Sequence, residues 1–148
     1  MENKIEILSM AESEAAEAAA LERLCFSAPW SEKAIREAAE RDDTVFLAAY
    51  ADGEFAGYAG MLCVLDEGHI CNVAVMPQLR RRGVGRTLIE ALKEEGRRRS
   101  LAVLMLEVRA SNTAAQALYE SAGFVRVGVR RLFYAAPRED AFLYNFSR

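Results

Sequence analysis

Short runs of apolar residues recur along the chain, and their spacing divides it into strand-like and helix-like segments. Strands are indicated where β-branched and aromatic residues cluster or where apolar and polar residues alternate. The predicted strands are Lys4–Leu8, Thr44–Ala51, Glu54–Val64, His69–Met76, Leu101–Val108, Phe124–Tyr134 and Ala141–Phe146. The predicted helices are an alanine- and glutamate-rich one that ends near Phe26, one from Ser31 to about Arg41, one that opens within Arg80–Arg86 and ends near Arg99, and one over Thr113–Ala122.

Capping and turn residues set the boundaries of these segments. Ser9 and Ser13 are candidate caps for the first helix, and Ser31 for the second. Asp52-Gly53 is typical of a two-residue hairpin turn. At the last helix, Ser111 or Asn112 is expected to form the N-terminal cap, and Gly123 follows the C-terminal end.

The order of the elements predicts an α/β (α+β) fold with one mixed sheet, antiparallel at first and with a βαβ unit in its middle. Leu101–Val108 is an almost continuous apolar run, which suits a central strand covered on both faces. A length of 148 residues fits one domain, so we expect residues 1–148 to form a single unit.

Composition narrows the class of protein. The net charge of −3 gives no overall basic surface for nucleic acid. No apolar run approaches the roughly 18 residues that a membrane span needs, and the first ten residues do not look like a signal peptide. We therefore expect a soluble, cytoplasmic protein that binds neither nucleic acid nor membrane.

The three cysteines, Cys25, Cys63 and Cys71, form no CxxC pair, and their odd number argues against a disulfide framework. We expect them to be reduced. His69 and Cys71 share one face of a strand, but two ligands make a poor zinc site, and a nucleophile pair would lack a third member. No metal is expected.

The segment Arg80–Arg86 joins a strand to a helix and contains two glycines and four arginines. Glycine lets backbone N–H groups approach a phosphate closely, and a helix N-terminus favours anions. The segment matches neither a P-loop nor a dinucleotide-binding fingerprint. The residues alone leave two interpretations about equally open, a phosphate-binding loop and a solvated basic loop.

Glu107 lies at the carboxyl end of the buried strand, where a carboxylate is costly without a partner or a task. Ligands of open α/β sheets bind at this end of the strands, and partial burial would raise the pKa of Glu107 toward the range of a general base. The alternative is a structural glutamate that pairs with Arg109 or turns to water.

Tyr119 shares one apolar helix face with Ala115, Leu118 and Ala122. Spacing alone favours a core tyrosine whose hydroxyl lies at the edge of the core. The functional alternative is a phenol that donates a proton to a leaving group.

Together, these segments resemble the GNAT acetyltransferases. Asn72-Val73-Ala74-Val75-Met76-Pro77 followed by Arg80-x-x-Gly83-x-Gly85 resembles their acetyl-CoA motif. Other segments resemble the ribosomal-protein-alanine acetyltransferases within that superfamily, and the likeness covers nearly all of the chain after residue 20. These segments are Pro29–Lys33, Leu106–Asn112, Ala117–Phe124 and Arg138–Ala141. The departures are Met76 in place of a common acidic residue, Arg80 and Arg82 in place of glutamines, and a short loop before Arg138.

The resemblance implies a sheet that splays apart between two central parallel strands, His69–Met76 and Leu101–Val108, with helices on its flanks. It implies that acetyl-CoA binds in the splay. The implied cofactor-binding residues are Val73, Ala74, Val75, Arg81, Arg82, Gly83, Val84, Gly85, Arg86 and Asn112. It also implies Glu107 as proton acceptor and Tyr119 as proton donor, with Trp30 and Tyr134 near the acceptor.

The implied reaction is direct acetyl transfer to the N-terminal alanine of a small-subunit ribosomal protein. An α-amine needs about 1 kcal/mol to lose its proton at pH 7 and a lysine about 4–5 kcal/mol, so a single modest base suits the α-amine better. Lysine, small-molecule amines or a non-catalytic acyl-CoA-binding role are the alternatives.

Overall fold

A seven-stranded mixed sheet forms the centre of the computed structural model, which describes residues 4–135 and 137–147. The strands follow the order β1-β2-β3-β4-β5-β7-β6. They are β1 (Ile5–Ser9), β2 (Thr44–Ala51), β3 (Glu54–Val64), β4 (Glu67–Val75), β5 (Val103–Arg109), β6 (Val125–Ala135) and β7 (Arg138–Ser147). The helices are α1 (Ala15–Cys25), α2 (Glu32–Ala39), α3 (Val84–Arg98) and α4 (Thr113–Ser121).

The two faces of the sheet carry separate apolar cores because strand residues alternate between them. Phe46, Tyr58 and Ala74 face α1 and α2. Val45 and Leu47, which flank Phe46 in β2, face the opposite core together with α3 and α4. The predicted α/β sheet with helices on both flanks is confirmed.

Among the strands of the described residues, only β4 and β5 run parallel, and they are paired over a short stretch. The register joins Glu67 to Val103, Gly68 to Leu104, and His69 to Met105, where the pairing ends. Every other neighbouring pair is antiparallel. The predicted splay between two central parallel strands is therefore confirmed, and it begins just after His69.

Local signals fixed several boundaries correctly. Ser31 Oγ accepts from the Ala34 amide at 3.1 Å and caps α2. Asn112 Oδ1 accepts from the Ala115 amide at 3.1 Å and caps α4. Asp52 and Gly53 adopt the positive φ angles, 50° and 86°, that a tight hairpin turn of this type requires.

The prediction that Ser9 or Ser13 caps the first helix was wrong. Ser9 ends β1, and Ser13 lies inside a 3-10 turn that leads into α1. Glu14 provides the side-chain contact instead, since its Oε1 accepts from the Ala11 amide at 2.7 Å. Likewise, the strand predicted to begin at His69 begins two residues earlier, at Glu67.

Candidate active site

A cavity of about 540 Å³ opens where β4 and β5 separate. Both strands contribute to its wall, as do α4, the end of α1 and the segments after α1 and β6. The candidate residues that line it are Trp30, Val73, Glu107, Asn112, Tyr119 and Tyr134. The structure thus brings together both predicted catalytic residues and both predicted acceptor residues.

Some peptide groups of β4 are directed toward this opening. The Met76 amide donates to Ala56 O at 2.8 Å, and peptide groups along an antiparallel strand alternate in direction. The groups of Ala74, which is in register with Tyr58, therefore face β3. Those of Val73 and Val75 face away from β3, toward the side on which β5 has diverged. Of the three predicted backbone contacts, the geometry leaves Val73 and Val75 available and directs Ala74 elsewhere.

The loop before α3 is shaped by two residues in the left-handed region, Arg81 with φ 65° and Gly83 with φ 84°. Gly83 is the N-cap of α3 and makes no side-chain cap. Within the described parts of the chain, no amide from residues 81 to 86 donates a hydrogen bond. These amides and the helix N-terminus form a concentration of unsatisfied donors, which is the arrangement that binds phosphate.

This loop lies beside the mouth of the splay. A Cβ atom on Gly85 would lie 3.1 Å from Leu118 Cδ2 and 3.6 Å from Val75 Cγ2, so α3 begins in the space between α4 and the end of β4. Arg80 Nε approaches Val75 O at 3.4 Å. Arg86 Nη1 donates to Ser121 Oγ at 3.1 Å and ties the start of α3 to α4.

Glu107 is held by His69. The two side chains meet at 2.6 Å between Nε2 and Oε2, across the point where β4 and β5 part. The hydrogen bond from His69 lowers the pKa of Glu107, and this effect outweighs the burial that would raise it. The prediction that partial burial raises the pKa of Glu107 was therefore wrong, because the imidazole beside this carboxylate could not be predicted from the sequence.

One alternative was that Glu107 pairs with Arg109. The contacts of Arg109 in the described residues are with other partners. Its Nη1 donates to Glu139 Oε1 at 3.1 Å and to Pro137 O at 2.9 Å, and its Nη2 donates to Ser27 Oγ at 3.2 Å. Arg109 therefore connects the segment after α1 with the hairpin between β6 and β7, on the two sides of the cavity.

Tyr119 belongs to both the core and the cavity. It is 8% exposed, and its ring lies 6.0 Å from that of Phe124 and 6.4 Å from that of Tyr144 between centroids. Its hydroxyl forms no hydrogen bond within the described residues, and no buried polar side-chain atom among them is left unpaired. The hydroxyl therefore reaches the cavity surface. Burial raises the pKa of Tyr119, so the phenol keeps its proton at neutral pH.

One functional candidate was missed. Glu22 on α1 is fully buried and lines the cavity. Its Oε2 accepts from the Tyr58 hydroxyl and from Asn72 Nδ2, the latter at 2.5 Å, and its Oε1 accepts from the Trp30 amide at 2.9 Å. Burial and the neighbouring carboxylate raise the pKa of Tyr58. A lone glutamate on an alanine-rich helix offered no signal for this network.

Trp30 and Tyr134 both line the cavity and come from different parts of the fold. The Trp30 ring lies 6.4 Å from that of Phe46, which anchors it on the α1 and α2 side of the sheet. Tyr134, from β6, lies under the guanidinium of Arg109 at 4.3 Å from the ring centroid. Burial raises the pKa of Tyr134, with a smaller contribution from Glu107.

The cysteines are free; Cys25 and Cys63 are partly buried and Cys71 is exposed. Within residues 4–135 and 137–147, no group of three His, Cys, Asp or Glu side chains is placed to hold a metal ion. In the same residues, no helix has the length and hydropathy needed to cross a membrane.

Comparison with known proteins identifies the family of the chain. The acetyltransferase (GNAT) family model matches residues 15–124. The [ribosomal protein bS18]-alanine N-acetyltransferase of Salmonella typhimurium is 42% identical over 143 residues, 95% of each chain. Its Escherichia coli K12 counterpart is 41% identical over 125 residues, 83% of this chain and 84% of the relative.

Solved structures agree with this assignment. The crystal structure of the ribosomal-protein-S18-alanine N-acetyltransferase from Escherichia coli superposes with a TM-score of 0.88 at 37% identity, covering 97% of this chain and 94% of that one. The chain therefore belongs to the GNAT family of acetyltransferases.

Proposed function

We propose that this chain, as a single catalytic domain, transfers the acetyl group of acetyl-CoA to the α-amino group of the N-terminal alanine of ribosomal protein bS18. The observation that carries the proposal is that Glu107 and Tyr119 line one cavity, at the point where the parallel strands separate. The names of the relatives supply the acceptor. The setting that this function requires is the cytoplasm, where bacterial ribosomal proteins are made.

Acetyl-CoA fits the features around the splay. Its pyrophosphate would accept hydrogen bonds from the free amides of residues 81 to 86, with the positive end of α3 behind them. Its pantetheine amides would extend the sheet by pairing with Val73 and Val75, whose peptide groups face the opening. Asn112, on the cavity wall, would contact the cofactor with its amide nitrogen, since its Oδ1 is used in capping α4.

The chemistry proposed is direct attack by the amine on the thioester carbonyl. Glu107 removes a proton from the ammonium group, directly or through water, so that the neutral amine can attack. A backbone N–H group on β4 near Val75 polarises the carbonyl as an oxyanion donor does. Tyr119, protonated because of its burial, gives its proton to the departing thiolate.

The acceptor is proposed to enter between Trp30 and Tyr134. Arg109 connects the segments from which these two walls are built, through Ser27 on one side and Glu139 on the other. The cavity also contains two carboxylates, Glu22 and Glu107. The carboxylate of Glu107 would attract the cationic amino terminus of the acceptor, while the guanidinium of Arg109 lines another part of the same cavity.

The proposal is tested with the purified protein, acetyl-CoA and a synthetic peptide carrying the first residues of bS18. Mass spectrometry should show one acetyl group on the α-nitrogen. The matched control is the same peptide with its α-amine formylated, which leaves any lysine free and should not react. Acetylation of the formylated peptide would indicate a lysine acetyltransferase. No transfer to any amine, with acetyl-CoA still bound, would indicate a non-catalytic binding module.

A further inference from the structure

His69 occupies a distinctive position in the sheet. It is the last β4 residue that pairs with β5, opposite Met105, and Glu107 lies two residues further along β5 on the same face. The 2.6 Å contact between His69 Nε2 and Glu107 Oε2 therefore bridges the two strands just where they separate. The His69 side chain is 42% exposed and that of Glu107 is 18% exposed, so the pair leads from the cavity wall to solvent.

Other charged and titratable groups surround this pair. The positive charge of Arg130, on β6, acts on both His69 and Glu107. The charge of Glu107 helps to raise the pKa of Cys71, on the same strand as His69, and the pKa of Tyr134, on β6. Glu107 nevertheless has the largest effect on His69, through the direct hydrogen bond, and raises the pKa of the imidazole.

A glutamate alone is a poor match for the proposed substrate. An ordinary glutamate has a pKa near ~4.3 and an α-ammonium near ~7.7–8.0, so proton transfer between them is unfavourable by a factor of about 10³–10⁴. An imidazole at its ordinary pKa of ~6.5 reduces this factor to about 20. The hydrogen bond from His69 makes proton transfer from the amine to Glu107 harder still, because it stabilises the ionised form of Glu107.

We propose that His69 is a positioning residue and proton relay for Glu107, so that the proton taken from the amine leaves the site through the imidazole to solvent. This inference rests on the proposed function. It follows from the direct contact, from the place of the pair where the two strands separate, and from the partial exposure of the His69 side chain to solvent.

The proton transfers balance as follows. An N–H bond of the substrate ammonium breaks as an O–H bond forms on Glu107. Once Glu107 is protonated, the neutral imidazole in its Nδ1–H form takes that proton at Nε2, an N–H bond forming there as the O–H bond breaks, which leaves a carboxylate beside an imidazolium. Water at the exposed ring removes one imidazolium proton, and the pair returns to a carboxylate and a neutral imidazole.

The sequence makes the relay easy to observe, because His69 is the only histidine in the chain. Nuclear magnetic resonance titration of its ring protons in the full-length protein reports one imidazole pKa without assignment of other histidines. We expect a value above 6.5 in the wild type and a lower one in Glu107→Gln. An imidazole pKa that does not respond to Glu107→Gln would overturn the pairing on which the relay depends.

The kinetic test uses His69→Gln, whose side-chain amide can still donate a hydrogen bond to Glu107 but does not titrate near neutral pH. The relay predicts that wild-type kcat rises with pH through the pKa measured for His69. In His69→Gln this limb should disappear, and kcat at pH 8 should fall by a factor of about 10–100, part of the usual general-base contribution. His69→Ala should regain part of its kcat when free imidazole is added.

The kinetic results differ if His69 only holds Glu107 in place and carries no proton. His69→Gln would then keep the wild-type kcat and pH profile, and imidazole would have no effect on His69→Ala; either outcome overturns the relay. Melting temperature and acetyl-CoA affinity confirm that each variant is folded.

If the wild type acetylates another amine, the same ratios of kcat are measured with that amine. If it acetylates none, the proposed function fails while the titration still tests the pair.

Discussion

The Arg109 guanidinium lies 4.3 Å from the centre of the Tyr134 ring and is fixed there by Glu139. This stack holds a half-buried aromatic ring on the wall of the cavity, beside the proposed entrance of the acceptor. We expect Tyr134→Ala to raise KM for the acceptor peptide by about tenfold, which is within the range of a lost aromatic contact. The acetyl-CoA affinity should remain unchanged.

The control for this prediction is Phe133→Ala. Phe133 is the neighbouring aromatic residue on β6, is 45% exposed, and does not line the cavity. Steady-state kinetics with each substrate varied in turn should leave both KM values of this variant near those of the wild type. Equal peptide KM values for Tyr134→Ala and the wild type would remove Tyr134 from the acceptor site.

Glu107→Gln keeps the shape of the side chain and removes its basicity. We expect kcat to fall by a factor on the order of 10²–10⁴, the usual contribution of a general base, with acetyl-CoA still bound. Glu120→Gln is the control, because Glu120 accepts a hydrogen bond from the Tyr144 hydroxyl at 2.7 Å and lies outside the cavity. Turnover of Glu107→Gln close to that of the wild type across pH 6–9 would make Glu107 a structural residue.

Tyr119→Phe separates the two roles of Tyr119, because it removes only the hydroxyl. That hydroxyl has no hydrogen bond within the described residues, so the free energy of unfolding should change by less than about 1 kcal/mol. We expect kcat to fall by about 10²-fold, toward the lower end of acid catalysis, since a thiol with a pKa near ~8.5 is already a fair leaving group. Full activity in this variant would mean that Tyr119 serves only in the core and that water protonates the thiolate.

Two glycines provide a matched test of the phosphate loop. Gly83 and Gly53 have φ angles of 84° and 86°, and a Cβ atom at either would have no neighbour within 4 Å among the described residues. Gly83→Ala and Gly53→Ala should therefore lose similar stability, about 1–2 kcal/mol, because both force a left-handed conformation on alanine. Only Gly83→Ala distorts the free amides at the start of α3.

We expect isothermal titration calorimetry to show at least a tenfold loss of acetyl-CoA affinity in Gly83→Ala and none in Gly53→Ala. Gly53→Ala therefore serves as the control for the general loss of stability that backbone strain causes. Equal affinities for the two variants, both folded, would mean that the loop amides do not hold the cofactor.

The sequence predicted those features that depend on neighbours in the chain. Ser31, Asn112 and the Asp52-Gly53 turn act within three residues, so their chemistry was visible locally. The assignment of Glu107 and Tyr119 to one site came from the family resemblance, and their shared cavity agrees with it.

Contacts between distant segments could not be predicted in this way. His69 and Glu107 are 38 residues apart, and Glu22 and Asn72 are 50 apart. Neither pair has a pattern that alternation or spacing reveals. The first depends on the register of β4 against β5, and the second on the packing of α1 against β4. The error in the pKa of Glu107 has this origin, since burial was foreseen and the imidazole was not.

Glu22 and Glu14 provide a test of the network that was missed. Each is a buried carboxylate near α1 that accepts a hydrogen bond from a tyrosine and another from a backbone amide. Glu22 lines the cavity, whereas Glu14 lies at the other end of α1 and does not. In Glu22→Gln and Glu14→Gln, an amide nitrogen replaces one acceptor oxygen and leaves a buried donor unpaired. The free energy of unfolding should fall by about 1–3 kcal/mol in each variant.

The two variants should differ in activity. Glu22 fixes Trp30 through its backbone amide and Asn72 through its side chain, and both residues line the cavity. Loss of these contacts should shift both walls, and a small misplacement of reacting groups lowers rate strongly. We expect kcat/KM for the acceptor peptide to fall at least tenfold in Glu22→Gln and to stay within about twofold in Glu14→Gln, measured well below both melting temperatures. If both variants lost activity in proportion to their stability, Glu22 would contribute only to the fold.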